Sequence, residues 1–260
     1  FLLYPHFLTE ESARYYGQID QAVRHADHII ADSVSTKRDV INFLGVPEGK
    51  ITVIYAAADS AYRPIKDEQV INQIRAKYDL DTTFLLFVST IEPRKNLPTL
   101  LRAFRQLLDD YKLDVKLVVA GQRGWFCGEV FAVADELALD ERVAFLDHVP
   151  LEDLVVLYNA ARMLVHPSFY EGFGLPPLEA MSCGTPTIVA NVSSLPEVVG
   201  DAGLLVAPEH TAGWTVAMWR LLTDDELHAE LSAKGLARST LFSWDKAARQ
   251  TLNLYERLMR

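Results

Sequence analysis

The sequence predicts an α/β fold built on an open, doubly wound parallel sheet. Three observations carry that prediction. From residue 66 onward short apolar runs alternate regularly with longer helical patterns, the signature of βα units. The apolar runs, such as FLLFVS and VKLVVA, suit strands that are covered on both faces. The turns after these runs concentrate glycine, proline and charge, and it is beyond the carboxyl ends of such strands that this fold class places its ligand crevice.

The first sixty or so residues hold two strands and two helices. Residues 28–31, within HIIADS, form a short apolar run; Ser33 and Thr36 then offer caps for a helix over 37–43 that Gly45 ends. ITVIYAA at 51–57 reads as a second buried strand, and 59–64 as a linker. Two strands cannot cover both faces of a parallel sheet. The expectation for 1–59 is therefore an incomplete sheet with exposed apolar surface, covered only if a partner chain or a neighbouring chain packs on it.

The regular alternation follows. Helices are expected over 67–78, 97–111, 129–139, 151–161 and 177–182. Strands are expected over 84–89, 115–120, 143–146, 163–166, 187–190 and 203–206, and residues 212–259 read as largely helical. Right-handed crossovers between these strands put every strand-to-helix turn at one edge of the sheet.

Composition narrows the function. With 50% hydrophobic and 23% charged residues the chain can bury a full core. A formal net charge of −10 excludes a sequence-independent nucleic-acid binder, which needs a basic surface, so an anionic ligand has to be held locally. Two cysteines, Cys127 and Cys183, make neither a disulfide framework nor a zinc site, and a reduced cytoplasmic compartment is the expectation. No apolar run reaches the roughly 18 residues of a membrane span, and FLLYPHFLTE lacks the pattern of a signal peptide. Peripheral contact with the inner membrane face stays open.

The chemistry is expected in the turns. After the first strand of the regular part, TIEPRKN sets Arg94 and Lys95 side by side. A planar guanidinium fork beside a compact ammonium suits a diphosphate. The competing account is a solvated basic pair at a helix start, although cations there oppose the helix dipole and need an anion. After the second strand, GQRGW is not G-x-G-x-x-G, which weakens a nicotinamide-dehydrogenase reading; turn glycines with a packed Trp125 account for it. The turn after the fourth strand, PSFYEGFGLPPLEAM, is the richest. Gly172 and Gly174 allow close backbone approach, and the helix start behind them supplies free N–H groups for an anion. Glu179 is placed to accept two hydrogen bonds from a ribose diol, and Glu171 faces the sugar end. Dipole compensation at a helix start is the plainer account of Glu179.

STIEPRKNL and PSFYEGFGLPPLEAMSCGTPTIVANVSSLPEVVGDAGLLVAP resemble the donor half of the family 4 retaining glycosyltransferases of GT-B architecture, mannosyltransferases among them. The likeness extends to HADHIIADSVSTKRDVINFLGVPEGKITVIYAA, FLDHVPLEDLVVLYNAARMLVHPS and FSWDKAARQTLNLYERLMR, nearly the whole chain. It implies a complete C-terminal Rossmann-like domain at 64–242 and part of an N-terminal, acceptor-side Rossmann-like domain with its linker at 1–63. Residues 243–260 would form the helix that crosses back to the first domain. The resemblance also implies that Arg94 and Lys95 hold the diphosphate, Glu179 the ribose, and Glu171, Gly172, Phe173, Gly174 and Leu175 the transferred sugar and distal phosphate. Gly121 would lie near the nucleotide and backbone near Val149 would touch the base. Catalysis would fall to Glu171, Arg94 and Lys95, with no metal and no cofactor. The sequence offers no convincing Asp-x-Asp clamp and no clustered metal ligands.

In this family the acceptor site, a glycine-rich loop and a histidine near the sugar lie in the N-terminal domain, upstream of the matched segments. His6 reads as a loop residue, His148 lies beside the expected base site, and His166 is expected to cap its strand. The likeness to mannosyltransferases favours GDP-mannose as donor and a glycan or lipid-linked acceptor, in polysaccharide or glycoconjugate assembly. Two other readings stand: a UDP- or ADP-sugar enzyme of the same family, and a catalytically incomplete nucleotide-sugar-binding fragment. A phosphorylase-like enzyme would need a pyridoxal Schiff base.

Overall fold

The computed structural model describes residues 2–259; Phe1 and Arg260, the outer ends of the expected segments 1–63 and 243–260, lie outside them. Two parallel sheets form. The first pairs β1 (Ile29–Ala31) with β2 (Ile51–Val53). The second has six strands: β3 (Thr83–Val88), β4 (Val115–Ala120), β5 (Val143–Phe145), β6 (Met163–His166), β7 (Thr187–Ala190) and β8 (Gly203–Val206). Its order is β5-β4-β3-β6-β7-β8. Counted within that sheet, this is 3-2-1-4-5-6, the doubly wound order, and the direction of winding reverses between β3 and β6.

Burial explains why this sheet forms. Along β3, Leu85 and Phe87 join one core cluster while Phe84, Leu86 and Val88 join the other. In β4 the split is Leu117 and Val119 against Val118 and Ala120. A strand that alternates between two buried faces must be apolar throughout. One face is covered by α5 (Leu97–Tyr111) and α10 (Thr211–Thr223). Leu97, Leu100, Leu101, Phe104, Leu107 and Leu108 recur at helical spacing and are all buried on α5. Against the other face lie α4 (Glu68–Lys77) and α7 (Leu151–Ala160), with Leu80, Tyr62 and Tyr158 in that core.

The remaining helices are α1 (Glu10–Tyr16), α2 (Ile19–His25), α3 (Val34–Leu44), α6 (Gly128–Glu136), α8 (Leu175–Cys183), α9 (Leu195–Val199), α11 (Asp225–Ser239) and α12 (Trp244–Leu258). Ser33 caps α3 through Thr36 N–H, and Gly45 ends it in the left-handed region.

Several expectations are corrected. The second strand is Ile51–Val53 rather than 51–57, because after Ile54 N–H donates to the Ala31 carbonyl at 2.9 Å the backbone makes no further pairing with β1. Among the described residues three α-helices, not two, precede β2. The helix after β6 starts at Leu175, with Gly174 as its cap, rather than at Pro177. A short helix, α9, stands between β7 and β8 where two strands in direct succession were expected. Leu2, Leu3, Tyr15, Tyr16, Ile30 and Phe43 leave apolar surface exposed in the N-terminal part of the chain. No helix of the described residues is long and apolar enough to cross a membrane.

Candidate functional site

The winding reversal between β3 and β6 brings two loops together: residues 89–96 after β3 and 167–174 after β6. Phe169 N–H donates to the Arg94 carbonyl at 2.9 Å. The Asn96 side-chain amide donates to the carbonyls of Pro167 at 3.1 Å and Pro208 at 2.9 Å. These bonds lock the loops against each other and against the end of β8.

Glu171 sits at the centre. Its Oε1 accepts from Lys95 Nζ at 2.7 Å, Ser168 Oγ at 2.7 Å and His166 Nε2 at 2.9 Å, and its Oε2 accepts from Arg94 at 3.0 Å. Lys95 is buried, while the Arg94 side chain keeps about a third of its surface. Arg94 also donates to Glu92 and to the Tyr170 carbonyl. Burial alone would raise the Glu171 carboxyl. The hydrogen bond from His166 and the charges of Lys95 and Arg94 outweigh it and hold the group well below the ordinary carboxylate value. Burial lowers the His166 imidazole, so the ring is neutral and donates from Nε2 while Nδ1 finds no partner among the described residues. The expectation that His166 merely caps its strand is thereby corrected: it is a ligand of Glu171.

The backbone from Glu171 to Leu175 is held by hydroxyls. Ser193 Oγ accepts from Glu171 N–H at 2.9 Å. Ser194 Oγ donates to the carbonyls of Glu171 at 2.9 Å and Phe173 at 2.6 Å. The Gly172 carbonyl accepts from Ser33 at 2.6 Å and Thr36 at 3.1 Å. With these carbonyls engaged, the N–H groups of Gly172, Phe173, Gly174 and Leu175 donate to no acceptor among the described residues. They stand at the positive end of the α8 dipole. Pro176 and Pro177 have no N–H to add, so the donors of this helix start are those of the glycine loop. Gly174 is left-handed, φ 114°, which favours glycine.

Gly121 and Val149 share a second hollow of about 490 Å³, beside His148, Ser89, Thr90 and Leu154. Glu92, Arg94, Glu171 and Gly172 line a cavity of about 570 Å³ whose opposite wall includes Asp32, Thr36 and Asp39. Glu179, one turn into α8, accepts from the buried Tyr158 hydroxyl at 2.7 Å. Burial raises its carboxyl above the ordinary value; hydrogen bonds from Tyr158 and Tyr62 oppose that, and Asp59 adds to it. The structure thus gathers Arg94, Lys95 and Glu171 in one network, places Gly172–Leu175 beside it, pairs Gly121 with Val149, and sets Glu179 in a tyrosine cage. Trp125 donates to the Phe7 carbonyl, and His6 is exposed in a 3-10 turn, Pro5–Phe7.

Reading the sequence missed Ser168, Ser193 and Ser194, whose roles depend on loop folding; the paired serines before LPE were the one local signal. Among the described residues no group of three or more His, Cys, Asp or Glu side chains is placed to hold a metal ion.

Comparison with known proteins gives this geometry a family. The pattern described as "Glycosyl transferases group 1" matches residues 70–238. The chain is 36% identical over 256 residues to an O-antigen chain mannosyltransferase B of Escherichia coli, covering 98% of this chain and 67% of that protein. It superposes on sucrose-phosphate synthase of Thermosynechococcus elongatus with a TM-score of 0.82 at 26% identity, covering 99% of this chain and 65% of the other. Its fold also matches Anabaena HepE, whose structure holds UDP-glucose, with a TM-score of 0.85 at 22% identity over 97% of this chain and 69% of that one. The chain thus spans about two thirds of the length of these proteins. Taken with the doubly wound sheet and the two loops at its winding reversal, these matches show that the chain belongs to the group 1 glycosyltransferases and has the GT-B type of α/β fold.

Proposed function

We propose that this chain carries the donor site of a retaining hexosyltransferase that moves mannose from GDP-mannose to a glycan or lipid-linked acceptor. The observation that carries the reading is the convergence of Arg94, Lys95, Glu171 and four free N–H groups at the winding reversal of the sheet. In this reading residues 64–242 bind the donor, 1–63 belong to the acceptor side, and 243–260 cross back between them. The 36% identity to a protein named as a mannosyltransferase supports mannose, whereas HepE, a more distant likeness, was solved with UDP-glucose.

The roles follow from chemistry. Cleaving the sugar–phosphate bond leaves negative charge on the diphosphate and positive character on the sugar. Arg94, Lys95 and the N–H groups of 172–175 stabilise the leaving diphosphate where that charge develops. They supply the neutralising charge, so the reading assigns no metal and no cofactor. In the free site Glu171 occupies both cations, and the incoming diphosphate takes them over. Released from them, the carboxylate turns to the sugar, positions it and supports the cationic transition state electrostatically during front-face attack. A trapped glycosyl-Glu171 adduct seen by mass spectrometry would instead make it a nucleophile.

The base lies against Gly121 and Val149, and Glu179 accepts from the ribose hydroxyls. Glu179→Ala is expected to weaken binding of the nucleoside alone, by about 1.5–3 kcal/mol for a charged acceptor. Only the ionised carboxylate is acceptor on both oxygens. Because its pKa is raised, nucleoside affinity should start to fall, as pH is lowered, at a higher pH than an ordinary carboxylate would give. Calorimetry with guanosine across acid pH reads both effects; unchanged affinity in the variant removes the ribose role.

Titration with GDP, UDP and ADP, followed by a transfer assay with GDP-mannose, tests the whole reading. Preferential UDP binding would replace mannose by a UDP-sugar. Donor binding without transfer would make the chain a nucleotide-sugar-binding fragment.

A further inference from the structure

The loop at 171–175 is held from two sides by helices of different sheets, and one carboxylate joins those helices. On one side Ser193 and Ser194, at the start of α9, bind Glu171 and Phe173. On the other, Ser33 and Thr36, at the start of α3, bind the Gly172 carbonyl. Glu197, on α9, reaches across: its Oε1 accepts from Val34 N–H at 2.8 Å and its Oε2 from Ser35 N–H at 3.2 Å. The Tyr55 hydroxyl, from the segment after β2, donates to the same carboxylate at 2.7 Å. Burial, with the Glu197 bond and charge added, pushes that hydroxyl up to about 12, so it remains a donor.

These contacts form a closed circuit: loop to α3, α3 to Glu197, Glu197 through α9 to Ser194, and Ser194 back to the loop. A carboxylate at a helix N-terminus meets both the free N–H groups and the positive dipole end, so Glu197 fixes the position of α3 against α9. Arg238 fixes α9 in turn, donating to the carbonyls of Glu197 at 2.6 Å and Val198 at 2.9 Å. Gly172 leaves no slack, since a Cβ there would meet Asp32 Oδ2 at 2.9 Å.

We propose that Glu197 is a positioning residue for donor binding: by clamping α3 it keeps the Gly172 carbonyl turned toward Ser33 and Thr36, and so keeps the N–H groups of 172–175 open to the sugar–phosphate. Through it the acceptor-side unit sets the donor loop. The inference rests on the reading of 171–175 as the sugar–phosphate end of the donor site.

The test compares wild type, Glu197→Gln, Tyr55→Phe and Thr36→Val, each titrated with guanosine and with GDP-mannose, and with uridine and UDP-glucose in parallel. In Glu197→Gln one amide group must face an N–H with another donor. Affinity for the nucleotide sugar is expected to fall about five- to tenfold, in the range of a lost helix-terminal charge, while nucleoside affinity is unchanged. A purely structural role would lower both or neither. Thr36→Val is expected to give a smaller loss in the same direction, and adding it to Glu197→Gln less than the product of the two, as for members of one network. Tyr55→Phe, which leaves α3 untouched, keeps the latch testable should Glu197→Gln fold poorly, and its expected loss is selective too.

A ligand-free readout separates this inference from the donor-site reading. Hydrogen exchange in Glu197→Gln should rise together across α3 and 171–175, with the six-stranded sheet unchanged. If exchange rises in α3 alone, or if all variants bind the nucleotide sugar as wild type does, the inference is overturned. Wild type that binds none of the four ligands overturns the donor-site reading, while the exchange result still decides the role of Glu197.

Discussion

Lys95→Ala is expected to weaken binding of GDP by about 1.5–3 kcal/mol, roughly tenfold to a hundredfold or more, and to leave guanosine affinity unchanged. The ammonium is buried and its partner is a carboxylate, so in the free protein its charge is already spent on Glu171. A diphosphate with two or more negative charges competes for it better than one carboxylate does, and the truncation deletes that competition. Arg94 does not move into the place of Lys95, because Glu92 and the Tyr170 carbonyl fix its guanidinium at its own position.

The same substitution leaves Glu171 buried with fewer partners, which destabilises the fold. The sign with pH follows from linkage. The folded pKa of Glu171 is depressed, so its ionisation contributes stability that is fully present above its unfolded pKa. That contribution is lost as pH falls toward the lower folded value. Lys95→Ala should reduce the contribution, so the gap in unfolding free energy between variant and wild type narrows on acidification. Denaturant unfolding at several pH values reads it; a gap that widens in acid would contradict the ion-pair account.

Gly121→Ala carries the second large effect. A Cβ built at Gly121 lies 1.8 Å from the Ser89 carbonyl oxygen and 2.5 Å from its carbon. Both atoms belong to the backbone just beyond β3, where Ser89 N–H donates to the Ala120 carbonyl at 3.1 Å and Gly121 N–H donates to the Asp147 carbonyl at 2.8 Å. No side-chain rotation relieves such an overlap, so the ends of β3 and β4 must part. The expected cost is about 3 kcal/mol or more, the upper end for overpacking, or roughly 6–12 °C in Tm for a chain of this size. Gly49→Ala, where a Cβ would meet nothing within 4 Å, is the control and should stay within about 0.5 kcal/mol. Guanosine binding should fail in any Gly121→Ala protein that folds, because the hollow it shares with Val149 deforms with the strand ends.

Much of the sheet was legible because its strands are buried on both faces. FLLFV has no polar position, KLVVA has only Lys116, near the start of its strand, and α5 repeats leucines at helical spacing. What failed to show was short and context-dependent. The five residues of α9 are too few to display a period, and β2 stops at Val53 although Ile54 to Ala57 remain apolar, because only its first three residues have a partner strand. In the site, Arg94, Lys95 and Glu171 were legible as chemistry but not as a mutual network. Their pairing depends on β3 and β6 being neighbours, and 77 residues separate Arg94 from Glu171. His166 read as a strand cap for the same reason, since its proximity to Glu171 depends on how the loop curls back. Glu197 gave no signal at all, because its meaning lies in a helix 163 residues upstream.

A structure of the chain with GDP-mannose bound tests the central claim most directly. The account predicts the diphosphate within hydrogen-bond distance of Lys95 Nζ, the Arg94 guanidinium and the N–H groups of Gly172–Leu175, with the ribose on Glu179 and the base against Gly121 and Val149. The Lys95–Glu171 distance should lengthen from 2.7 Å as Glu171 turns to the mannose. A nucleotide bound elsewhere, or one in the crevice with Glu171 still holding both cations, would contradict it.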